Sequence, residues 1–239
     1  SDERESLEIL LRLRDPESRK LIPPGAFLPA AERYGMSVEL DKWVITSLFN
    51  MLFVHHAFEA VHRKYWINLS GSSVGDRRFA EFLKNAVASS PLPPGTINFE
   101  ITETSVIRNI AEAGELISAL REMGCQFALD DFGSGLSSFT YLKKLPVDIV
   151  KIDGSFIRDL LKDDTDRIFV KSIIDIAHTL NLKVVAEFVE DEKTLEAVRE
   201  LGADYFQGFM TGRPFVFAPR FPKIAAPEND SAGINAKAG

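Results

Sequence analysis

Short β-rich runs alternate with helical stretches along most of this chain, and that alternation limits the possible fold more than any other feature. The extended runs are Leu7–Leu13, Tyr65–Leu69, Thr96–Ile101, Gln126–Leu129, Asp148–Ile152, Lys183–Val189 and Tyr205–Phe209. Between them the spacing predicts helices over Leu40–Ala57, Arg78–Ala88, Ile107–Met123, Arg167–Leu180 and Asp191–Leu201. Asp191 is placed to cap the last of these, with acidic residues in its first turn and Arg199 near its end. Gly124, Asn181 and Gly202 stand where helices end in left-handed residues. Strand–helix alternation implies an α/β fold, a parallel sheet covered by helices. Seven strands are visible where a closed barrel of the TIM (β/α)8 type has eight. The expectation is therefore a modified barrel whose first strand is absent from these residues, or an open sheet.

Residues 1–223 read as one domain, a size that suits a single α/β barrel. From Ile224 the composition turns to Ala, Pro, Gly, Asn and Asp, so 224–239 is expected to be a flexible tail or linker. The net charge of −7 argues against a nucleic-acid polymer as partner, because such proteins present a basic face to phosphates. The single cysteine, Cys125, sits in an apolar run and reads as a buried, inert thiol; no disulfide is possible within the chain, which fits a cytoplasmic, reducing compartment. No apolar run reaches the roughly 18 residues that span a bilayer, so no membrane contact is expected of this segment. The chain opens on Ser1, which suggests a piece of a longer protein that could itself be anchored elsewhere. Trp43–Phe53 reads as a helix core, and His55 and His56 as a helix surface pair.

Polar residues recur at or near the C-terminal ends of the strands. They are Glu8 and Arg12, Asn68, Glu100 and Glu103, Asp130 and Asp131, Lys151 and Asp153, Glu187 and Glu190, and Gln207. In a barrel these ends share one face, where active sites are built. Lys151 and Asp153 are two apart and point to one side of a strand. Asp130 and Asp131 are adjacent, so both face one site only if the strand ends there; Phe132-Gly133-Ser134-Gly135 supplies that break. Singly, each residue has an ordinary reading: Glu8 on the surface, the Asp pair in a turn or cap, Asn68 at a turn, Gln207 satisfying backbone groups, Lys151 pairing with Asp153. Their joint placement at one end of successive strands argues otherwise. Glu8, Glu100, Asp130, Asp131, Asp153 and Glu187 would then crowd one mouth with Lys151 as the nearby cation. Either some are protonated or metal ions sit among them. An all-oxygen set with one Asn favours Mg²⁺ or Mn²⁺ over zinc. A pair of such ions is apparatus for in-line attack on a phosphodiester, with Asp130 bridging both and Asp131 completing one.

The chain resembles the EAL domain of cyclic di-GMP phosphodiesterases. The resemblance rests on Glu8-Ile9-Leu10-Leu11-Arg12, Pro24-Gly25-Ala26-Phe27-Leu28-Pro29, Asn68-Leu69-Ser70, Glu100-Ile101-Thr102-Glu103-Thr104 and Asp130-Asp131-Phe132-Gly133-Ser134-Gly135. Lys151-Ile152-Asp153, Glu187-Phe188-Val189-Glu190 and Gln207-Gly208-Phe209 complete it in the same order. It implies a modified (β/α)8 barrel that opens cyclic di-GMP to linear 5′-pGpG with two Mg²⁺ or Mn²⁺ ions. Glu8, Asn68, Glu100, Asp130, Asp131 and Glu187 would then be the metal-binding positions. Glu187, Lys151, Asp153 and Gln207 would surround the attacking water. Leu10, Arg12, Gln207, Arg213 and Pro214 would contact substrate, and Glu103 and Glu190 would steady loops. Homodimerisation and an upstream sensor or GGDEF domain are further expectations of the resemblance.

Three departures stand out. The signature reads Glu-Ile-Leu rather than Glu-Ala-Leu, and Ile9 is expected to point away from Glu8. Phe188 replaces the glycine usual in Glu-Gly-Val-Glu, where its bulk could tilt Glu187. The family's first strand, with Tyr-Gln-Pro, does not precede the signature. Two competing functions follow: a catalytically inert cyclic di-GMP receptor, or a barrel hydrolase for another phosphodiester.

Overall fold

The computed structural model describes residues 5–55, 62–134, 139–217 and 232–238, so Gly135 and His56 lie outside the described residues. All seven expected runs are strands: β1 Glu5–Arg14, β3 Arg63–Leu69, β4 Ile97–Thr102, β5 Phe127–Phe132, β6 Ile149–Ile152, β7 Lys183–Ala186 and β8 Tyr205–Phe206. They pair in parallel in the order β1-β3-β4-β5-β6-β7-β8. A short β2 (Leu21–Ile22) pairs antiparallel with β1. The other edge of β1, expected to lack a neighbour, is taken by an antiparallel strand, β10 (Ala232–Ala238), which also pairs with β9 (Phe215–Val216). Part of the stretch expected as tail is thus a sheet strand; 218–231 lie outside the described residues.

The helices, in chain order, are α1 Pro24–Arg33, α2 Ser37–His55, α3 Gly71–Val74, α4 Arg77–Ser89, α5 Glu103–Arg108, α6 Ile110–Glu122, α7 Gly154–Arg158, α8 Asp164–Thr179 and α9 Glu192–Leu201. The single helix expected over Ile107–Met123 is two, broken at Asn109, whose ψ of 49° leaves the helical region and whose side chain donates to the Gly71 carbonyl at 3.4 Å. Asp191 caps α9 by accepting from Thr194 N at 2.9 Å, and Gly124, Asn181 and Gly202 are left-handed as expected. In α2, Val44, Ile45, Leu48 and Leu52 are buried, but Trp43 and Phe53 are exposed, so the aromatic ends of that run are surface, not core. No helix among the described residues is long and apolar enough to cross a membrane.

Strand periodicity sorts the side chains into two sets. Leu7, Ile9, Tyr65, Ile67, Phe99, Ile101, Phe127, Leu129, Val150, Ile152, Val184 and Ala186 face outward and form one core with the helices. Ile9, 3% exposed, points away from Glu8 as expected. The alternate positions face the lumen, where Trp66, Ala128 and Ile149 pack together with Val185. The parallel part of the sheet curls until its first and last strands approach: Gln207, just after β8, donates from Nε2 to Glu8 Oε2 of β1 at 2.5 Å. This is a modified barrel of the TIM type. A cavity of about 790 Å³ runs through its lumen from Ser6, Lys64, Gln126, Lys183 and Tyr205 at the strand starts to Glu8, Glu100, Lys151 and Gln207. It reaches the polar residues from beneath, at the end opposite the loops that follow the strands.

Candidate active site

Six of the lumen-facing positions near the strand ends are Glu8, Asn68, Glu100, Asp130, Lys151 and Glu187. Lys151, 2% exposed, is their hub. Its Nζ lies 2.7 Å from Glu100 Oε2, 2.9 Å from Glu187 Oε1, 3.1 Å from Asp130 Oδ1 and 3.9 Å from Glu8 Oε2. Lys151 thus pairs with the carboxylates of four other strands rather than with Asp153. Glu8 is fixed from two sides, by Asn68 Nδ2 at 2.8 Å and by Gln207.

Asp131 joins the group by an unexpected route. β5 does not end before it but continues to Phe132, with a register shift between Leu129 and Phe132. Asp131 takes a left-handed φ of 55° inside that bulge. Asp and Asn tolerate this region better than most residues. The turn inverts the side-chain alternation: Asp130 faces the lumen, Phe132 packs into the outer core, and a carboxylate oxygen of Asp131 swings back. Ligand atoms of Asp130, Asp131 and Glu187 all lie within 4.8 Å of one another.

The site's charge state follows from burial opposed by one cation. Burial pushes the Glu187 carboxyl up to about 7; Lys151 opposes this, and Asp130 and Glu8 add to it. Asp131 rises to about 6, through burial first and then the nearby charges of Asp130 and Asp153. Burial also raises Glu100, against the pull of Lys151. For Lys151 itself burial acts downward, but Glu100, Glu8, Asp130 and Glu187 outweigh it and hold the ammonium charged. Asp130 Oδ1 is buried, and although Lys151 Nζ is near, no hydrogen bond satisfies it. An under-satisfied acceptor beside two further carboxylates is a donor set suited to a hard divalent cation.

Other expected residues are less engaged. Asp153 caps α7 through Ser155 N at 2.7 Å and lies close enough to Asp131 to raise it. Arg12 shares the lumen face of β1 with Leu10 and donates to the Leu11 carbonyl at 2.9 Å. Arg213 and Pro214 are exposed, and the Arg213 guanidinium stands 5.3 Å from the Phe209 ring centroid. Glu103, 1% exposed, accepts from Gly133 N at 3.0 Å and so grips the turn after β5. Glu190 is exposed.

Two contributors escaped the sequence reading. Tyr141 is buried beside Glu103, and burial followed by that carboxylate pushes its phenol well above the usual range; nothing in the sequence marks it. Gly154 follows Asp153 and lies under the Phe188 ring. The bulk of Phe188 was the available signal.

Fold and site together define a class: a modified α/β barrel with a carboxylate-rich centre where its strands end. Within that class, the chain belongs to the EAL domain family, which it matches over residues 1–214. It is 40% identical over 214 residues to the cyclic di-GMP phosphodiesterase PdeB of Shewanella oneidensis, covering 90% of this chain and 25% of that protein. The chain therefore spans about a quarter of that relative's length. Among solved structures, the PaMucR phosphodiesterase in complex with c-di-GMP is 36% identical with a TM-score of 0.77, covering 87% of this chain and 84% of the other. The FimX EAL domain from Pseudomonas aeruginosa bound to c-di-GMP is 32% identical with a TM-score of 0.79, covering 88% and 84%.

Proposed function

We propose that this domain hydrolyses cyclic di-GMP to linear 5′-pGpG, with two Mg²⁺ or Mn²⁺ ions held among Glu8, Asn68, Glu100, Asp130, Asp131 and Glu187. The observation that carries this reading is the convergence of Asp130, Asp131 and Glu187 within 4.8 Å beside a single buried ammonium. The relatives named above act on or bind the same dinucleotide, which supports the choice of substrate.

When bound, divalent cations supply Lewis acidity toward the phosphate and make water a better nucleophile. The chain's own residues do the rest. Glu187, beside Asp130 and Asp131 and paired with Lys151, is placed to take a proton from water. Lys151 keeps Glu100, Asp130 and Glu187 drawn together and offsets part of their charge; bound cations would offset the rest toward an anionic substrate. Gln207, tied to Glu8, and Asp153 flank the water's approach. The water oxygen bonds to phosphorus, the bond from phosphorus to the 3′ oxygen breaks, and that oxygen leaves as the 3′ hydroxyl with a proton drawn from solvent, while the proton taken by Glu187 returns to solvent. Leu10 and Arg12 on one side, and Arg213 and Pro214 on the other, contact the dinucleotide.

The rival receptor reading drew on Phe188 tilting Glu187 away. Glu187 instead lies 2.9 Å from Lys151 and within the carboxylate group, so the geometry favours the hydrolase. Incubating the protein with cyclic di-GMP and Mn²⁺ and resolving products by chromatography tests this. Linear pGpG is expected, with turnover lost in Glu8→Ala. An intact dinucleotide that is nonetheless bound would return the receptor reading.

A further inference from the structure

Phe188 holds a left-handed φ of 55°, a region that a bulky side chain rarely adopts. Its consequence parallels that of Asp131. On a regular strand Val185, Glu187 and Val189 would all face the lumen. Val185 and Glu187 do, but Val189 is fully buried in the outer core. The turn at Phe188 inverts the alternation, anchors Val189 outside and leaves Glu187 aimed at Lys151.

Two loops hold that turn. On the β8 side, Val189 N donates to the Gln207 carbonyl at 3.0 Å and Met210 N donates to the Val189 carbonyl at 3.2 Å. On the β6 side, the Phe188 ring lies directly on Gly154: a Cβ at residue 154 would sit 2.0 Å from Phe188 Cδ2 and 2.6 Å from Cγ. Arg158, one turn along α7, places its guanidinium 4.3 Å from the ring centroid. The ring therefore has a seat only because residue 154 lacks a side chain.

We infer that Gly154 and Phe188 form a size-coupled pair that positions Glu187, so that a side chain at 154 is compatible with an aimed Glu187 only when residue 188 is small. This rests on the functional reading of Glu187 above. Neither residue touches the reacting atoms; both act through the turn between β7 and α9.

The test is a mutant cycle read by Mn²⁺ affinity in calorimetry and by the urea unfolding midpoint, neither of which requires turnover. Gly154→Ala is expected to weaken Mn²⁺ binding about tenfold or more, the scale typical of losing a residue that orients a ligand, and to lower the midpoint. Adding Phe188→Gly to it is expected to restore both to within about threefold affinity and near the original midpoint, because glycine accepts the left-handed turn and vacates the space. A Gly154→Ala protein that matches wild type, or a double variant no better than Gly154→Ala, overturns the inference. If Gly154→Ala does not fold, the double variant Gly154→Ala/Phe188→Gly decides: a folded protein with Mn²⁺ affinity within about threefold of wild type is expected, and a double variant that also fails to fold, or that binds about tenfold more weakly, overturns the pairing. Failure of wild type to turn over cyclic di-GMP while binding Mn²⁺ sinks the hydrolase reading alone. A wild-type domain without Mn²⁺ affinity sinks both.

Discussion

Lys151 Nζ lies 2.7 Å from Glu100 Oε2, and the two side chains are 2% and 4% exposed. Removing one partner of a buried pair leaves the other uncompensated, at a cost of about 3–5 kcal/mol. Here three further carboxylates lean on the same ammonium. Lys151→Met is therefore expected to destabilise the metal-free protein by at least that order, measured by urea unfolding in EDTA. Added Mn²⁺ should recover part of the loss. A variant as stable as wild type in EDTA would show that the charges are balanced in another way.

Stability of the metal-free protein should fall as pH rises. In the folded state Glu187 titrates near 7 and Asp131 near 6, against ordinary values of 4.5 and 3.8. Between those limits the folded state holds more protons than the unfolded one, so the slope of stability with pH is negative there. The share of the loss due to Glu187 and Asp131 begins above about pH 4 and runs to a little above pH 7, with half-buried Asp131 contributing less because solvent screens it; Glu100, also raised by burial, adds loss of the same sign. Urea midpoints at pH 5 and pH 8 in EDTA check the sign. With saturating Mn²⁺ the ion replaces the protons, so the midpoint at pH 8 should rise toward or above that at pH 5.

Glu103→Ala should loosen the turn after β5. Its carboxylate is buried and accepts from Gly133 N, and it neighbours buried Tyr141. Losing that acceptor leaves a partly buried amide unsatisfied, worth about 1–3 kcal/mol, and frees the segment that carries Asp131. Turnover should drop about tenfold or more with a smaller change in KM. Glu103→Gln, which keeps an acceptor, should recover part of it. Equal kinetics in all three proteins would deny Glu103 a role in positioning Asp131.

Much of this architecture could be read from residues alone, for identifiable reasons. The seven strands were legible because each is a short apolar run with an outer face buried against helices. The candidate site was legible because polar residues recur at one end of successive strands, a joint placement that their separate ordinary roles do not explain. What escaped depends on backbone handedness. Asp130 and Asp131 were expected to share a site through a strand that stops; instead the strand continues and Asp131 bulges. The strand expected over Lys183–Val189 ends at Ala186, because the turn at Phe188 breaks the ladder beyond it. No propensity favours Phe in that conformation; contacts distant in sequence impose it. β10 is made largely of Ala, Gly, Asn and Lys with Ile234 alone among larger apolar residues, so its composition reads as tail although it pairs with β1.

Asp41 offers a stability control, since it is not one of the carboxylates that pair with Lys151. It accepts from Ser70 N at 2.8 Å and from Ser73 Oγ at 2.6 Å, tying α2 to the start of α3. Asp41→Ala leaves both donors without that partner and should cost about 1–3 kcal/mol in urea unfolding. Mn²⁺ affinity of the folded protein should stay that of wild type. A fall in affinity matching that of a ligand variant would place Asp41 in the site.

The account stands most directly on whether the carboxylate centre takes up divalent cations. Mn²⁺ titrated calorimetrically into EDTA-stripped, dialysed protein at pH 8 should show saturable binding, weakened by about tenfold or more in both Asp130→Asn and Glu187→Gln. Wild-type protein that takes up no Mn²⁺, or variants that bind it as tightly as wild type, would contradict the assignment.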